Sequence, residues 1–205
     1  MDPTAKQRTV WQKNADRYDR VMAGLERGLL AGNREWIAER AHGRVLEVAI
    51  GTGRSLEFYA ADAEVTGVDL SPAMLELARR HADDLGVNVD LREGDAEQLP
   101  FADASSDTVV CALGLCSIPR PDVAIREMAR VLVPGGSLLL LDHVGSTWPP
   151  VYAAQWLVER VTILTSGEYF TRRQLPLVRA AGLDVIESDR LKAGTIERIH
   201  AILPS

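Results

Sequence analysis

Two cysteines occur in 205 residues, Cys111 and Cys116, close together in one apolar stretch. So few thiols exclude a disulfide framework, and neither has a metal-ligand partner at useful spacing along the chain, so no metal site is expected. There is no long basic run, and the formal net charge is −6. That balance argues against a nucleic-acid footprint. It also argues against broad attraction to anionic membrane surfaces, while leaving a local patch open. No apolar run approaches the length of a membrane span, and the first residues lack the pattern of a secretory leader. Internal repeats, low-complexity tracts and linkers are absent as well. Together these absences point to a cytoplasmic protein with reduced thiols.

What is present is ordinary for a globular domain: 46% hydrophobic and 25% charged residues, in a chain long enough for one domain, residues 1–205, with a sizeable core. The informative stretch is Arg44 to Gly53, RVLEVAIGTG. A short apolar run carrying Glu47 leads into Gly51 and Gly53, which reads as a buried strand entering a tight turn. Glycine there allows positive φ and lets backbone N–H groups approach a ligand. Arg54 to Ala61 is expected to open a helix, completing a ligand cradle at the carboxyl end of a parallel sheet. The dinucleotide pattern G-x-G-x-x-G does not fit. Counted from Gly51 its third glycine falls on Leu56, and counted from Ala49 it falls on Arg54.

Further elements fall in a regular order. Glu64 to Leu70 reads as a second strand ending in Asp69, a carboxylate placed to accept hydrogen bonds from both hydroxyls of a ribose. Ser71 caps the next helix with Pro72 at its first position, and Met74, Leu77, Ala78, His81, Ala82 and Leu85 form its inner stripe. Gly86 ends it. Val87 to Arg92 is a third strand, followed by the loop Gly94-Asp95-Ala96-Glu97 and then Leu99-Pro100-Phe101. Asp107 to Leu113 is a fourth strand, with Asp107 at the end away from the ligand. Pro121 to Leu132 is a helix. Ser137 to Leu141 is a solid apolar run, as a central parallel strand requires, and it ends in Asp142-His143. After Pro149-Pro150, Val151, Ala154, Val158 and Val161 form an amphipathic helix. Thr171 is placed to cap the helix after that. Leu183 to Arg190 and Gly194 to Leu203 are two final strands, antiparallel because their connection is short. Before all of these, residues 1–40 carry broken helical stripes through Val10, Trp11, Tyr18, Val21, Met22, Leu25, Leu29, Leu30, Trp36 and Ile37.

The segment around Glu47, E-x-A-x-G-x-G, resembles the first motif of class I S-adenosylmethionine-dependent methyltransferases. Ala49 stands where that family usually has its first glycine, the smallest departure a side chain can make. G-D-A-x-x-L-P-F resembles the family's adenine-recognition segment, and R-V-L-x-P-G-G, Arg130 to Gly136, is a further shared segment that carries shape rather than chemistry. The resemblance runs from about Trp11 to the C-terminus. It is strongest to the ubiquinone/menaquinone-biosynthesis-like group, with weaker likeness to bacterial phosphatidylethanolamine N-methyltransferases and to methyltransferase-like thiol methyltransferases. It implies an α/β Rossmann-like fold with a seven-stranded sheet of order 3-2-1-4-5-7-6 and strand 7 antiparallel. Residues 41–205 would form the core, and residues 1–40 a helical lid whose Tyr-Asp pair folds over the cofactor. It implies S-adenosylmethionine as cofactor, held by Glu47, Ala49, Gly51, Gly53, Asp69, Leu70, Met74, Asp95, Ala96, Ala112 and Leu113. The methyl would pass by in-line displacement to a small-molecule or lipid-like acceptor, through nitrogen, oxygen or sulfur.

Several residues carry two readings. Trp11 and Tyr18 either face the acceptor or anchor a helix on the core. Met74 lies near the adenine or is a plain core methionine. Cys116 faces the acceptor or is a small buried hydrophobe. His143, at the end of the fifth strand, is the best general-base candidate because histidine titrates near neutral pH; otherwise it bonds a backbone carbonyl. Two other function classes stay open. One is a S-adenosylmethionine-binding protein without catalysis. The other is a NAD-dependent oxidoreductase, disfavoured by the missing glycine and by the lack of a Tyr-x-x-x-Lys pair. A monomer or homodimer is expected, with no nucleic-acid partner.

Overall fold

A computed structural model describes residues 2–26, 28 and 30–205, without the side chains of Asp16, Arg17, Arg20, Val21, Ala23, Leu25 and Glu26. The side chains of the stripe positions Val21 and Leu25, and the whole of Leu29, therefore fall outside what is described. The helices are α1 (Pro3–Glu26), α2 (Asn33–Ala38), α3 (Pro72–Leu85), α4 (Pro121–Val131), α5 (Pro149–Thr165) and α6 (Leu175–Ala180). The strands are β1 (Arg44–Val48), β2 (Glu64–Asp69), β3 (Asp90–Glu93), β4 (Ser106–Ala112), β5 (Leu132–His143), β6 (Asp184–Leu191) and β7 (Ile196–Ile202). They form one seven-stranded sheet in the order β3-β2-β1-β4-β5-β7-β6. The first five are parallel, and β7 runs antiparallel to both β5 and β6.

Strand β5 shows why this sheet is covered on both faces. Leu138 and Leu140 pack with Val109, Cys111, Ile125 and Met128 on one side. Leu139 and Leu141 pack with Val110, Trp36 and Ile37 on the other. Side chains alternate across a strand, so a solid leucine run demands helices above and below. Each buried leucine contributes about 1.5–3 kcal/mol relative to exposure. The parallel register sets the carboxyl ends of β1, β2 and β4 side by side, with Val48 opposite Val68 and Ala112 opposite Leu141. At the other end of the sheet Asp107 takes hydrogen bonds from the Arg44 backbone and guanidinium, which holds its carboxyl at about 2.

Several expectations need correction. Arg54 to Tyr59 is a run of turns, not a helix. Its backbone bonds span three residues, as in Leu56 N–H to Gly53 O and Phe58 N–H to Ser55 O, the tighter pattern of short 3₁₀ turns. The third strand begins at Asp90 instead of Val87, because Val87 N–H donates back to Ala82 O beyond the left-handed Gly86 cap. On α3, Leu75 is buried while Leu85 is 38% exposed. Strand β5 starts at Leu132, and its pairing with β4 shifts register before Ser137. Thr171 caps no helix; its N–H and hydroxyl donate to Glu159.

Helix α5 departs furthest from expectation. Ala154, Val158 and Val161, three of its four stripe residues, are exposed. The inward arc is polar. Gln155 takes the Ser146 N–H at 2.7 Å and donates to Val144 O at 3.0 Å. Glu159 accepts from Thr171, and the Thr162 hydroxyl donates to Glu168 O.

Candidate functional site

The glycine turn is tied to the neighbouring strand by Asp69. One of its carboxylate oxygens accepts the Gly51 N–H at 2.9 Å, and the other accepts the Ser71 N–H at 2.8 Å. Burial pushes the Asp69 carboxyl up to about 6, against the opposing pull of those backbone donors. Ala49 sits at φ 56, a left-handed conformation that glycine adopts without strain. Its methyl fills the space that a Cβ on Gly114 would need, 2.8 Å away.

A cavity of about 680 Å³, counting its open mouth, lies over the carboxyl ends of β1, β2 and β4. Ala49, Gly51, Asp69, Leu70, Met74, Asp95, Ala96 and Leu113 line it, and so do Trp11 and Tyr18 from α1. The Trp11 and Tyr18 rings meet edge to face at 5.8 Å. Next to Tyr18, Asp19 accepts the Thr52 hydroxyl at 2.6 Å and pairs with Arg54 at 3.5 Å, seating α1 across the turn. Asp95 accepts the Glu97 N–H at 2.9 Å. Glu97 in turn takes the Arg120 backbone N–H and guanidinium, which fixes this loop against the start of α4. Gly94 is compulsory here, since a Cβ would lie 2.7 Å from Val68 and 3.0 Å from Pro100.

Five expected site residues do not line the cavity. Glu47 is 2% exposed and works beneath the turn, where it accepts from the Ser55 hydroxyl at 2.7 Å and the Tyr59 hydroxyl at 3.0 Å. Burial raises its pKa, and the nearby Arg34 opposes that rise. Gly53 packs against Leu56 and Ala78, whose side chains leave no room for a Cβ. Ala112 belongs to the core cluster under α2. Cys116 is buried, and its thiol is pushed far up by burial and by Asp142. His143 stacks on Phe170 at 4.5 Å with the rings 15° apart, and its Nδ1 has no partner among the described residues.

Cys116, Asp142 and His143 nevertheless converge, with ligand-type atoms within 4.8 Å of one another. The expectation that neither cysteine has such partners holds along the chain and fails in space. These groups already engage each other. Asp142 accepts the Cys116 N–H and the His143 N–H, each at 2.8 Å, so both of its oxygens are in use.

Sequence reasoning missed Thr4, Gln7, Gly114, Ile118 and Pro119, all of which line the cavity. Gln7 is 6% exposed, with an amide nitrogen that has no partner among the described residues. No sequence signal marks it. Ser117 lines the cavity too, in the stretch Leu115 to Ser117 where the family resemblance places acceptor-facing residues.

The charge of the lining discriminates between cofactors. Among the described residues it contains two carboxylates, Asp69 and Asp95, and no lysine or arginine. A dinucleotide pyrophosphate needs a cation or a helix N-terminus, and the turns after Gly53 offer no helix. A nucleoside with ribose hydroxyls, an adenine amino group and a cationic sulfur fits this donor set.

Residues 46–140 match the family model described as a methyltransferase domain. A demethylmenaquinone methyltransferase of Deinococcus radiodurans is 42% identical over 174 residues, covering 79% of this chain and 72% of that protein. A phosphatidylethanolamine N-methyltransferase of Cereibacter sphaeroides is 38% identical over 120 residues, covering 58% of this chain and 59% of that protein. For that protein and several other curated relatives, the match spans less than two thirds of the relative's own length. Among solved structures, a SAM-dependent methyltransferase of Thermotoga maritima superposes with a TM-score of 0.73 at 22% identity, covering 95% of this chain and 98% of that one. That likeness shows the fold.

Proposed function

This chain belongs to the class I S-adenosylmethionine-dependent methyltransferase family, and from that premise we propose that it transfers a methyl group to a small-molecule or lipid-like acceptor. The observation that carries the proposal is the cavity over the glycine turn, whose described lining places the Asp69 and Asp95 carboxylates at the ends of neighbouring strands. S-adenosylmethionine is the cofactor, and when bound it supplies a methyl activated by its sulfonium. The chain's own part is binding and alignment. Asp69 retains acceptor capacity beyond its two backbone bonds and is suited to the ribose hydroxyls. Asp95 is suited to the adenine amino group, and Met74 and Ile118 to its faces. Holding two reactants in line can account for roughly 7–11 kcal/mol of a barrier. Residues 1–40 act as the lid, latched through Asp19 to Thr52.

Among the described residues the cavity lining contains no imidazole. That favours acceptors whose nucleophile arrives with a free lone pair, such as a thiolate, an enolate or a neutral amine. His143 stays the candidate base for acceptors that arrive protonated, because its Nδ1, a buried nitrogen at the end of β5, has no partner among the described residues. Among the described residues no helix is long and apolar enough to cross a membrane. Both cysteines are free, which supports a cytoplasmic setting. Calorimetry with S-adenosylmethionine, S-adenosylhomocysteine and NAD tests the cofactor, and only the first two should bind. A methyl-transfer assay over thiols, amines and phenols tests the activity. Binding without transfer to any acceptor would replace the proposal with a non-catalytic role.

A further inference from the structure

Helix α5 is built inside out. At about 100° per residue, its polar side chains Gln155, Glu159 and Thr162 cluster on a narrow inward arc, where each is hydrogen-bonded. The remaining arc, roughly two thirds of the circumference, faces outward. On it Trp156 is 45% exposed, Leu157 66%, Val161 61% and Leu164 74%. Trp148, just before the helix, and Tyr152, in its first turn, are 58% and 43% exposed. The outward arc carries one charge, Arg160, whose guanidinium lies over the Trp156 ring at 4.2 Å. It carries no carboxylate, in a chain whose net charge is −6.

We infer that the outward face of α5 docks on a lipid bilayer surface. Three features favour lipid over a protein partner. The apolar arc is broad, whereas helix-to-helix docking uses a narrow stripe; a fluid apolar phase can contact a broad arc all at once. Tryptophan and tyrosine beside aliphatic residues suit the level of the headgroups, where an aromatic body is buried and its polar tip stays wet. The single cation, with no acidic neighbour on the arc, matches a surface of phosphate headgroups.

The face is also continuous with the cavity. Lys6 of α1 donates to the last carbonyls of α5, Ile163 O and Leu164 O. Its neighbour Gln7 lines the cavity and lies so close to Gly167 that a Cβ there would meet Gln7 Oε1. A bilayer under α5 therefore lies beside the α1 edge of the mouth. The inference stands on α5 and does not depend on methyl transfer.

The test is sedimentation of the full chain with two kinds of vesicle, one of pure phosphatidylcholine and one of phosphatidylcholine mixed equally with phosphatidylglycerol. The wild type should partition onto both, with stronger binding to the anionic mixture. The double variant Leu157→Glu, Leu164→Glu should lose at least about tenfold in partitioning, since each leucine withdrawn from an apolar phase forfeits more than a kilocalorie. Its melting temperature and S-adenosylhomocysteine affinity should not change, because neither residue packs in the core or lines the cavity. Ile186→Glu makes one such apolar-to-acidic change at a 60% exposed position on β6 and should leave partitioning unchanged. Failure of the wild type to sediment with either vesicle would overturn the inference. So would equal partitioning by the double variant, or a wild-type dimer in light scattering that the double variant dissolves.

Discussion

Asp69 makes the cofactor reading testable by pH alone. Its carboxyl is raised from 3.8 to about 6 by burial, so ionising it in the empty protein costs about 3 kcal/mol more than in the unfolded chain. Between these two values the folded state holds the proton and the unfolded state does not. The contribution to stability therefore falls as pH rises through this window, and the empty protein should lose stability between about pH 4 and 6. Ligand binding carries the opposite sign. Ribose hydroxyls donate to the ionised carboxylate, so affinity is full above about 7 and weakens as pH falls. If only the ionised form binds, lowering pH from 7 to 5 should weaken S-adenosylhomocysteine binding about tenfold. Calorimetry across that range reads the slope. Asp69→Asn is the control, and its slope is more telling than its absolute affinity. An amide cannot accept from both Gly51 N–H and Ser71 N–H, so it also loosens the turn by about 1–3 kcal/mol. A flat wild-type profile, or an equal slope in Asp69→Asn, would refute the assignment of Asp69 to the ribose.

Ala49→Gly removes a methyl from a left-handed backbone position worth roughly 1–2 kcal/mol of strain, offset by the greater freedom of glycine when unfolded. A melt should show stability unchanged or raised by up to about 1 kcal/mol, with cofactor affinity intact. Gly114→Ala should cost about 1–3 kcal/mol by overpacking against Ala49 Cβ and Cys111 Sγ. The same melt in an Ala49→Gly background should recover part of that loss, the Cys111 sulfur accounting for the rest. His143→Ala should lower turnover roughly 10²-fold on acceptors that arrive protonated if the imidazole removes a proton, with little change on acceptors already deprotonated. Rates measured on acceptors of graded pKa decide this, and an equal deficit on all of them would assign His143 to packing under Phe170.

The fold was legible because its signals are local and agree with each other. The leucine run of β5, the strand ending in Asp69, the Ser71-Pro72 start and the Gly86 stop each specify one element by short-range chemistry. That Gly51, Asp69 and Asp95 meet at one cavity was legible for the same reason, since glycine turns and acidic residues sit at fixed offsets from strand ends. Gln7 and Ile118 were not, because reaching the cavity depends on how α1 and the segment after β4 pack, which no local pattern encodes. Glu47 lies away from the cavity lining for a subtler reason. A carboxylate at the end of a strand can face a ligand or turn under its own loop, and Ser55 and Tyr59, with Arg34 close by, decide in favour of the loop.

Helix α5 shows where periodicity reasoning itself reverses. Apolar spacing reveals that a helix has two faces, and assigning the apolar one to the core assumes that water covers the other. Here the polar residues are the ones that find partners inside, in Ser146, Val144, Glu168 and Thr171. With those bonds made, turning the helix over would strand Gln155 and Glu159 away from their donors, at about 1–3 kcal/mol for each group left unpaired in the interior. It would also press Leu157, Val161 and Leu164 toward an interior that has no space prepared for them. The inward polar network thus fixes the rotation of α5, and the apolar arc stays outside as a consequence of that rotation. A surface held out in this way by satisfied hydrogen bonds is a stable feature of the fold. Replacing Gln155 with leucine should leave the Ser146 N–H unpaired and lower the melting temperature, although the substitution adds hydrophobicity. A rise in melting temperature for Gln155→Leu would show that hydrophobic packing, and not the polar network, sets the rotation of α5.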